Sequence, residues 1–200
     1  MKSSSVFSIW PNKLGSKGGI KMILMINGAF GVGKTTTAHA LHEKVPNSMV
    51  FDPEMIGGML RYVIPQDIQK AEATTGDFQD FLLWKELTVE TAKRLVNHYG
   101  LHLIVPMTIR EPAYFEYIYN GFKEISDTHH FCLTASKETI HQRLKERGEE
   151  GNWPFQQTDK CLAAFESYNF GEVIDTENKS VEAIVDYILN TTQQLILKKI

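Results

Sequence analysis

Cysteine is scarce: Cys132 and Cys161 are the only two in 200 residues. They are too few and too far apart for a disulfide framework or a zinc site, and read as reduced thiols packed in a core. No stretch is long and apolar enough for a secretory signal or a membrane helix, so no integral membrane segment is expected. Positive charge is in short supply too. With Lys+Arg 21 against Asp+Glu 24, the net charge of -3 lacks the basic surplus needed to displace counterions from a nucleic acid, which is therefore not an expected partner. Internal repeats are missing. The seven histidines lack companions, because no Cys, Asp or Glu stands in a recognised ligand spacing beside His39 and His42 or beside His129 and His130. A structural metal is not expected, and His102 and His141 read as packing or surface residues. What remains, 42% hydrophobic and 22% charged, suits one ordinary α/β domain of the cytoplasm.

One stretch organises the chain. Gly28-Ala29-Phe30-Gly31-Val32-Gly33-Lys34-Thr35 fits the spacing G-x-x-x-x-G-K-[ST], follows the apolar run Met22-Ile23-Leu24-Met25-Ile26, and precedes a helix-favouring segment beginning near Thr36 and Thr37. Small residues let successive backbone N–H groups curl around an anionic phosphate, and the positive end of the next helix adds to the attraction. Gly28 to Thr36 are thus the candidate nucleotide-binding residues. Lys34 is expected to reach the β- and γ-phosphates, and the Thr35 hydroxyl to hold Mg²⁺.

Strand and helix signals alternate after this loop, implying a parallel sheet covered on both faces. Met49-Val50-Phe51 reads as a second strand that ends in Asp52-Pro53-Glu54, and Gly57 to Ile64 as a short helix stopped by Pro65. The spacing predicts a long helix over Asp77 to Tyr99, with Trp84 in its packed face and Gly100 as its stop. Strands are expected at Leu101 to Val105, at His129 to Leu133 and at Glu172 to Ile174. A charged helix over Ala135 to Gly148 leads into a Gly- and Pro-marked excursion, Gly148 to Pro154, suited to a mobile lid. Helices near Gln156 to Ser167 and around Val181 to Leu189 complete the pattern.

The first 21 residues stand apart. They carry Ser3-Ser4-Ser5, Pro11, Gly15, Gly18 and Gly19, and read as a disordered leader before a single domain over 22–200. Lys17-Gly18-Gly19 can be encoded by bases resembling a bacterial ribosome-binding site just before the Met22 codon, so the expected natural start is Met22.

Open parallel sheets bind ligands at the carboxyl ends of their strands. Asp52 falls there, with three competing roles: general base for an acceptor hydroxyl, holder of an Mg²⁺-bound water, or cap of the helix after Pro53. Thr108 and Arg110 leave the third strand at the same edge and are candidate acceptor-binding residues with Asp52. Arg143 and Arg147, four apart on one helix face before the lid, are candidates to embrace the phosphates in the transition state, against the alternative of a solvated charged face.

The strings Ile26-Asn27-Gly28-Ala29-Phe30-Gly31, Phe51-Asp52-Pro53-Glu54, Val105-Pro106-Met107-Thr108 and Ala135-Ser136-Lys137-Glu138-Thr139 resemble the tunicamycin-resistance P-loop proteins of bacteria. The likeness runs from about Met22 to Ile188. More distantly the layout is similar to the nucleoside monophosphate, shikimate and chloramphenicol kinases. The resemblance implies a P-loop NTPase α/β/α sandwich with a five-stranded parallel sheet and a small lid, using ATP and Mg²⁺. The segment Gly57-Gly58-Met59-Leu60-Arg61 is similar to the adenylate kinase segment whose arginine binds the acceptor phosphate, which makes Arg61 a candidate for substrate binding. Val105-Pro106-Met107 departs from the pattern of P-loop enzymes that carry a Walker B aspartate there. The leading expectation is an Mg·ATP-dependent kinase acting on a hydroxyl of a nucleoside-like acceptor or antibiotic. A protein that binds ATP and sequesters the drug unmodified is the alternative, and a nucleotide kinase of salvage metabolism the third reading.

Overall fold

The computed structural model describes residues 21–197. The expected leader lies outside the described residues except for Lys21. In chain order the elements are β1 (Met22–Gly28), α1 (Lys34–Lys44), β2 (Ser48–Val50), α2 (Glu54–Val63), α3 (Gln66–Glu72), α4 (Leu82–Tyr99) and β3 (His102–Pro106). Then follow α5 (Pro112–Ile125), β4 (Asp127–Thr134), α6 (Lys137–Glu146), α7 (Trp153–Gln156), α8 (Thr158–Ser167), β5 (Glu172–Asp175) and α9 (Val181–Leu197).

The run Met22 to Ile26 is apolar throughout because β1 is the central strand of a sheet covered on both faces. The strand order is β2-β3-β1-β4-β5, and every pairing is parallel. Register puts Met25 opposite Val105 on one side and opposite His130 on the other. Side chains alternate across the sheet. Met22, Leu24 and Ile26 enter one layer with Leu41 of α1, Leu144 of α6, Cys161 of α8 and Val185 of α9. Ile23 and Met25 enter the other, with Leu60 of α2, Trp84 of α4 and Phe122 of α5. The expected α/β/α sandwich with a five-stranded parallel sheet is the observed fold.

Several local expectations change in detail. The helix anticipated over Asp77 to Tyr99 is broken, with a 3₁₀ turn at Phe78–Asp80 and α4 starting only at Leu82. Asp77 is the cause on one side, since its Oδ1 accepts from Gln79 N at 3.1 Å, and the fully buried, extended Phe81 is the cause on the other. Helices α3 and α5 had no counterpart in the sequence reading, although Glu111 capping Ala113 N, with Pro112 in the first turn, is a start signal of the ordinary kind. Trp84 is buried and donates from Nε1 to the Pro53 carbonyl at 3.1 Å, as a packing residue should. His102 is buried as well, its Nδ1 accepting from Met22 N at 3.1 Å.

Candidate functional site

The segment after β1 turns sharply against the end of β4. A Cβ on Gly28 would lie 2.4 Å from the Leu133 carbonyl oxygen, so only glycine allows the two strand ends to approach this closely. At the far end of the loop Gly33 has φ 106°, which lets the chain enter α1 with no side chain capping the helix. The first-turn N–H groups of α1 therefore keep their donor capacity toward the cleft, which is lined by Gly31, Gly33, Lys34, Thr35 and Thr36.

Lys34 is buried beneath the loop, with Nζ donating to the Ala29 carbonyl at 2.9 Å and lying 5.4 Å from the centre of the Phe30 ring. Burial strips water from the ammonium and lowers its pKa to about 8, against the opposing pull of Glu54, while Arg147 adds like charge. An incoming polyanion would restore what burial removed. Phe30 also meets Trp153 of α7 edge to face at 5.2 Å, joining the loop to the region expected as a lid.

Two carboxylates stand in the cleft. Asp52 follows β2, which Phe51 N extends by bonding the Ile104 carbonyl at 2.9 Å, and its Oδ1 accepts from Glu54 N at 2.9 Å at the start of α2. Capping is thus present in the structure without excluding the other two roles. Glu54 was not singled out by sequence. Partial desolvation, then the neighbouring Asp52 charge, raise its pKa, and Lys34 opposes them. Its position in the first turn after Asp-Pro was the available signal. Pro106 ends β3 within the cleft, so the strand contributes no carboxylate there.

Arg143 of α6 and Arg147, the residue that caps its C-terminus, part company. Arg147 lines the cleft and pairs with Glu149 at 2.7 Å, whereas Arg143 reaches behind the loop to the Val32 carbonyl at 3.2 Å and to Thr176 Oγ1 and O at 3.0 and 3.1 Å. Asn27 was another residue the sequence did not flag as functional. Its Oδ1 accepts from Gly28 N at 2.8 Å and Ile109 N at 2.9 Å, and its Nδ2 donates to the Ile109 carbonyl at 3.1 Å.

A second cavity, of about 350 Å³, is lined by Asp77, Gln79, Asp80, Arg110, Tyr114 and Lys160 among others. Arg110 donates to Gln157 Oε1 at 3.1 Å and lies 4.0 Å from Asp77 Oδ2. Thr108 is buried, and its carbonyl accepts from Gln79 Nε2 at 2.8 Å. Arg61 is elsewhere engaged, donating to the Gly76 carbonyl at 2.7 Å and lying 5.9 Å from the ring centres of Phe78 and Phe81. Among the described residues no group of three or more His, Cys, Asp and Glu is placed to hold a metal. A magnesium ion here would need Thr35, phosphate oxygens and water, which is the ligand set Mg²⁺ ordinarily takes in nucleotide sites.

The AAA domain family matches residues 23–168. The structure of the Deinococcus radiodurans tunicamycin resistance protein is similar at 31% identity and a TM-score of 0.69, covering 86% of this chain and 95% of that one. A gluconokinase from Sinorhizobium meliloti 1021 is similar in fold at 16% identity and a TM-score of 0.60, covering 88% of this chain and 92% of its own. Shikimate kinase from Bacteroides thetaiotaomicron shares the fold at 14% identity and a TM-score of 0.56, covering 89% and 99%. No curated protein sequence matches. Among the described residues no helix is long and apolar enough to cross a membrane.

Proposed function

The chain belongs to the AAA-domain family of P-loop kinase-like proteins, alongside the tunicamycin resistance protein of Deinococcus radiodurans, and from that premise we propose that it is an Mg·ATP-dependent kinase of a small hydroxylated acceptor, of the nucleoside-like antibiotic class. The observation that carries the reading is the buried Lys34 ammonium beside an uncapped helix N-terminus, facing a cleft that also holds Asp52 and Glu54. Phosphoryl transfer asks a protein mainly for positioning and charge neutralisation, and these parts supply both. The loop N–H groups and Lys34 hold the phosphates. Thr35 would hold Mg²⁺, which supplies further positive charge against the transferring group. Asp52 takes the proton of the acceptor hydroxyl as its oxygen bonds to the γ-phosphorus. The bond from that phosphorus to the bridging oxygen breaks, and ADP leaves with the electron pair. Arg147 adds charge from the lid side. The proposed place of action is the cytoplasm, which supplies ATP and keeps the buried Cys132 and Cys161 reduced.

Two observations favour a second reading, in which ATP and the drug are bound without transfer: β3 ends in Pro106 rather than a carboxylate, and Asp52 already accepts a capping bond. The test incubates the protein with Mg·ATP and candidate acceptors, tunicamycin first, and looks by mass spectrometry for a product heavier by one phosphate. Tunicamycin bound but unchanged supports sequestration and counts against the kinase.

A further inference from the structure

We propose that the cavity between the Asp77–Asp80 turn, Arg110 and α8 is the acceptor pocket, and that it selects a neutral, hydroxyl-rich molecule over a phosphorylated one; this rests on the phosphotransfer reading above. The cavity adjoins the phosphate-loop cleft. Asn27 joins them: its side chain bonds Gly28 N of the loop at 2.8 Å and both backbone groups of Ile109, the neighbour of Arg110 in the cavity lining, at 2.9 and 3.1 Å.

Its polar groups are set for hydroxyls. Asp80 accepts at one oxygen from Thr75 N and Oγ1, at 2.8 and 2.7 Å, and at the other from the Tyr114 hydroxyl at 3.1 Å. Tyr114 stays a neutral donor, because desolvation and then the Asp80 charge push its pKa up to about 12. Asp77 accepts at Oδ1 from Gln79 N and turns Oδ2 toward Arg110. Ionised carboxylates offer several acceptor sites each, so both retain capacity for sugar-type O–H donors. Lys160 lines the same cavity and can donate to hydroxyl oxygens.

The same groups oppose a phosphate. Among the described residues that line the cavity, the acidic Asp77, Asp80 and Glu111 outnumber the cations Arg110 and Lys160, and the Arg110 fork is already shared between Gln157 and Asp77. Arg61, the arginine whose sequence context suggested a phosphate grip, is not among the residues lining the cavity and is tied to Gly76. Like charges brought together in a confined site penalise binding strongly. The salvage-kinase reading, which needs an acceptor phosphate, is disfavoured on this ground.

Uridine, adenosine, glucose and N-acetylglucosamine, each paired with its own monophosphate, are titrated calorimetrically into the full chain saturated with Mg²⁺ and a non-hydrolysable ATP analogue. The expected result is that at least one neutral member binds, and binds at least about tenfold more tightly than its phosphate. Asp77→Asn, whose amide oxygen can still accept from Gln79 N, and Asp80→Asn, whose amide oxygen can still accept from Thr75, should each narrow that gap while ATP affinity is unchanged. Two variants are used so that a loosened turn in one does not decide the matter. A monophosphate binding more tightly than its parent, no neutral member binding, or a gap untouched by both variants would each overturn the proposal. Neutral binding with the expected preference but no phosphate transferred from ATP would instead overturn the kinase and leave the pocket assignment standing.

Discussion

Arg143 of α6 donates to the carbonyl oxygen of Val32, 111 positions earlier in the chain, at 3.2 Å. Two further bonds from the same guanidinium go to Thr176, just after β5, so one side chain braces the back of the phosphate loop against the sheet edge. Arg143→Ala is expected to lower unfolding free energy by about 2 kcal/mol, since it strands buried acceptors, and to weaken ATP binding as the loop loosens. Urea denaturation and nucleotide titration check this, and an unchanged urea midpoint would contradict it. Arg147→Lys should behave differently. It keeps charge but loses the planar fork, so kcat should fall more than the ATP KM rises, with little change in the urea midpoint.

For Lys34 the expected outcome follows from burial. Lys34→Ala removes the ammonium bonded to Ala29 and should abolish transfer and weaken ATP binding while far-UV circular dichroism stays native. Thr35→Ala should instead raise the Mg²⁺ concentration needed for half-maximal activity. Wild-type turnover in the first variant, or an unshifted Mg²⁺ titration in the second, would remove those roles.

The two cleft carboxylates are separable. Asp52→Asn retains an oxygen to accept from Glu54 N, so a capping role predicts near-normal activity, an Mg²⁺-linked role predicts rescue at high Mg²⁺, and the general-base role predicts a kcat loss of about 10²-fold that Mg²⁺ does not restore. Glu54→Gln is the companion. If it alone shows the unrescued loss, the proton goes to Glu54 and not to Asp52.

These roles show where sequence was informative. The phosphate loop, its flanking strand and Lys34 were legible because their pattern is contiguous and local. Asp52 could be placed at a strand end for the same reason. The division of labour between Arg143 and Arg147 could not, since identical spacing on one helix says nothing about partners such as Val32 and Thr176. The strand order depends on which edges pair across long separations and was equally hidden, as was the placing of Glu54 in one cleft with Asp52 and Lys34.

His130, on β4, makes an acid-sensitive point away from the cleft. It is buried, with Phe115 edge-on at 4.7 Å, and burial lowers its pKa from 6.5 to about 4. The unfolded chain therefore binds a proton there between those values while the folded chain does not. Stability is expected to be lost as pH falls from about 6.5 to about 4, by a total of about 3 kcal/mol from this group, and to be insensitive to it above that window. His130→Phe should flatten that part of the curve. Urea midpoints measured across the window check it, and parallel curves for variant and wild type would show that His130 is not the source.

Asn27 leaves β1 with one carboxamide that holds Gly28 at the mouth of the phosphate loop and both backbone groups of Ile109, next to Arg110 of the second cavity. Three hydrogen bonds of 2.8, 2.9 and 3.1 Å to one side chain thus tie the two segments together. Thermodynamic linkage then requires reciprocity: by whatever factor a nucleotide in the loop alters affinity for a molecule near Arg110, that molecule alters nucleotide affinity by the same factor.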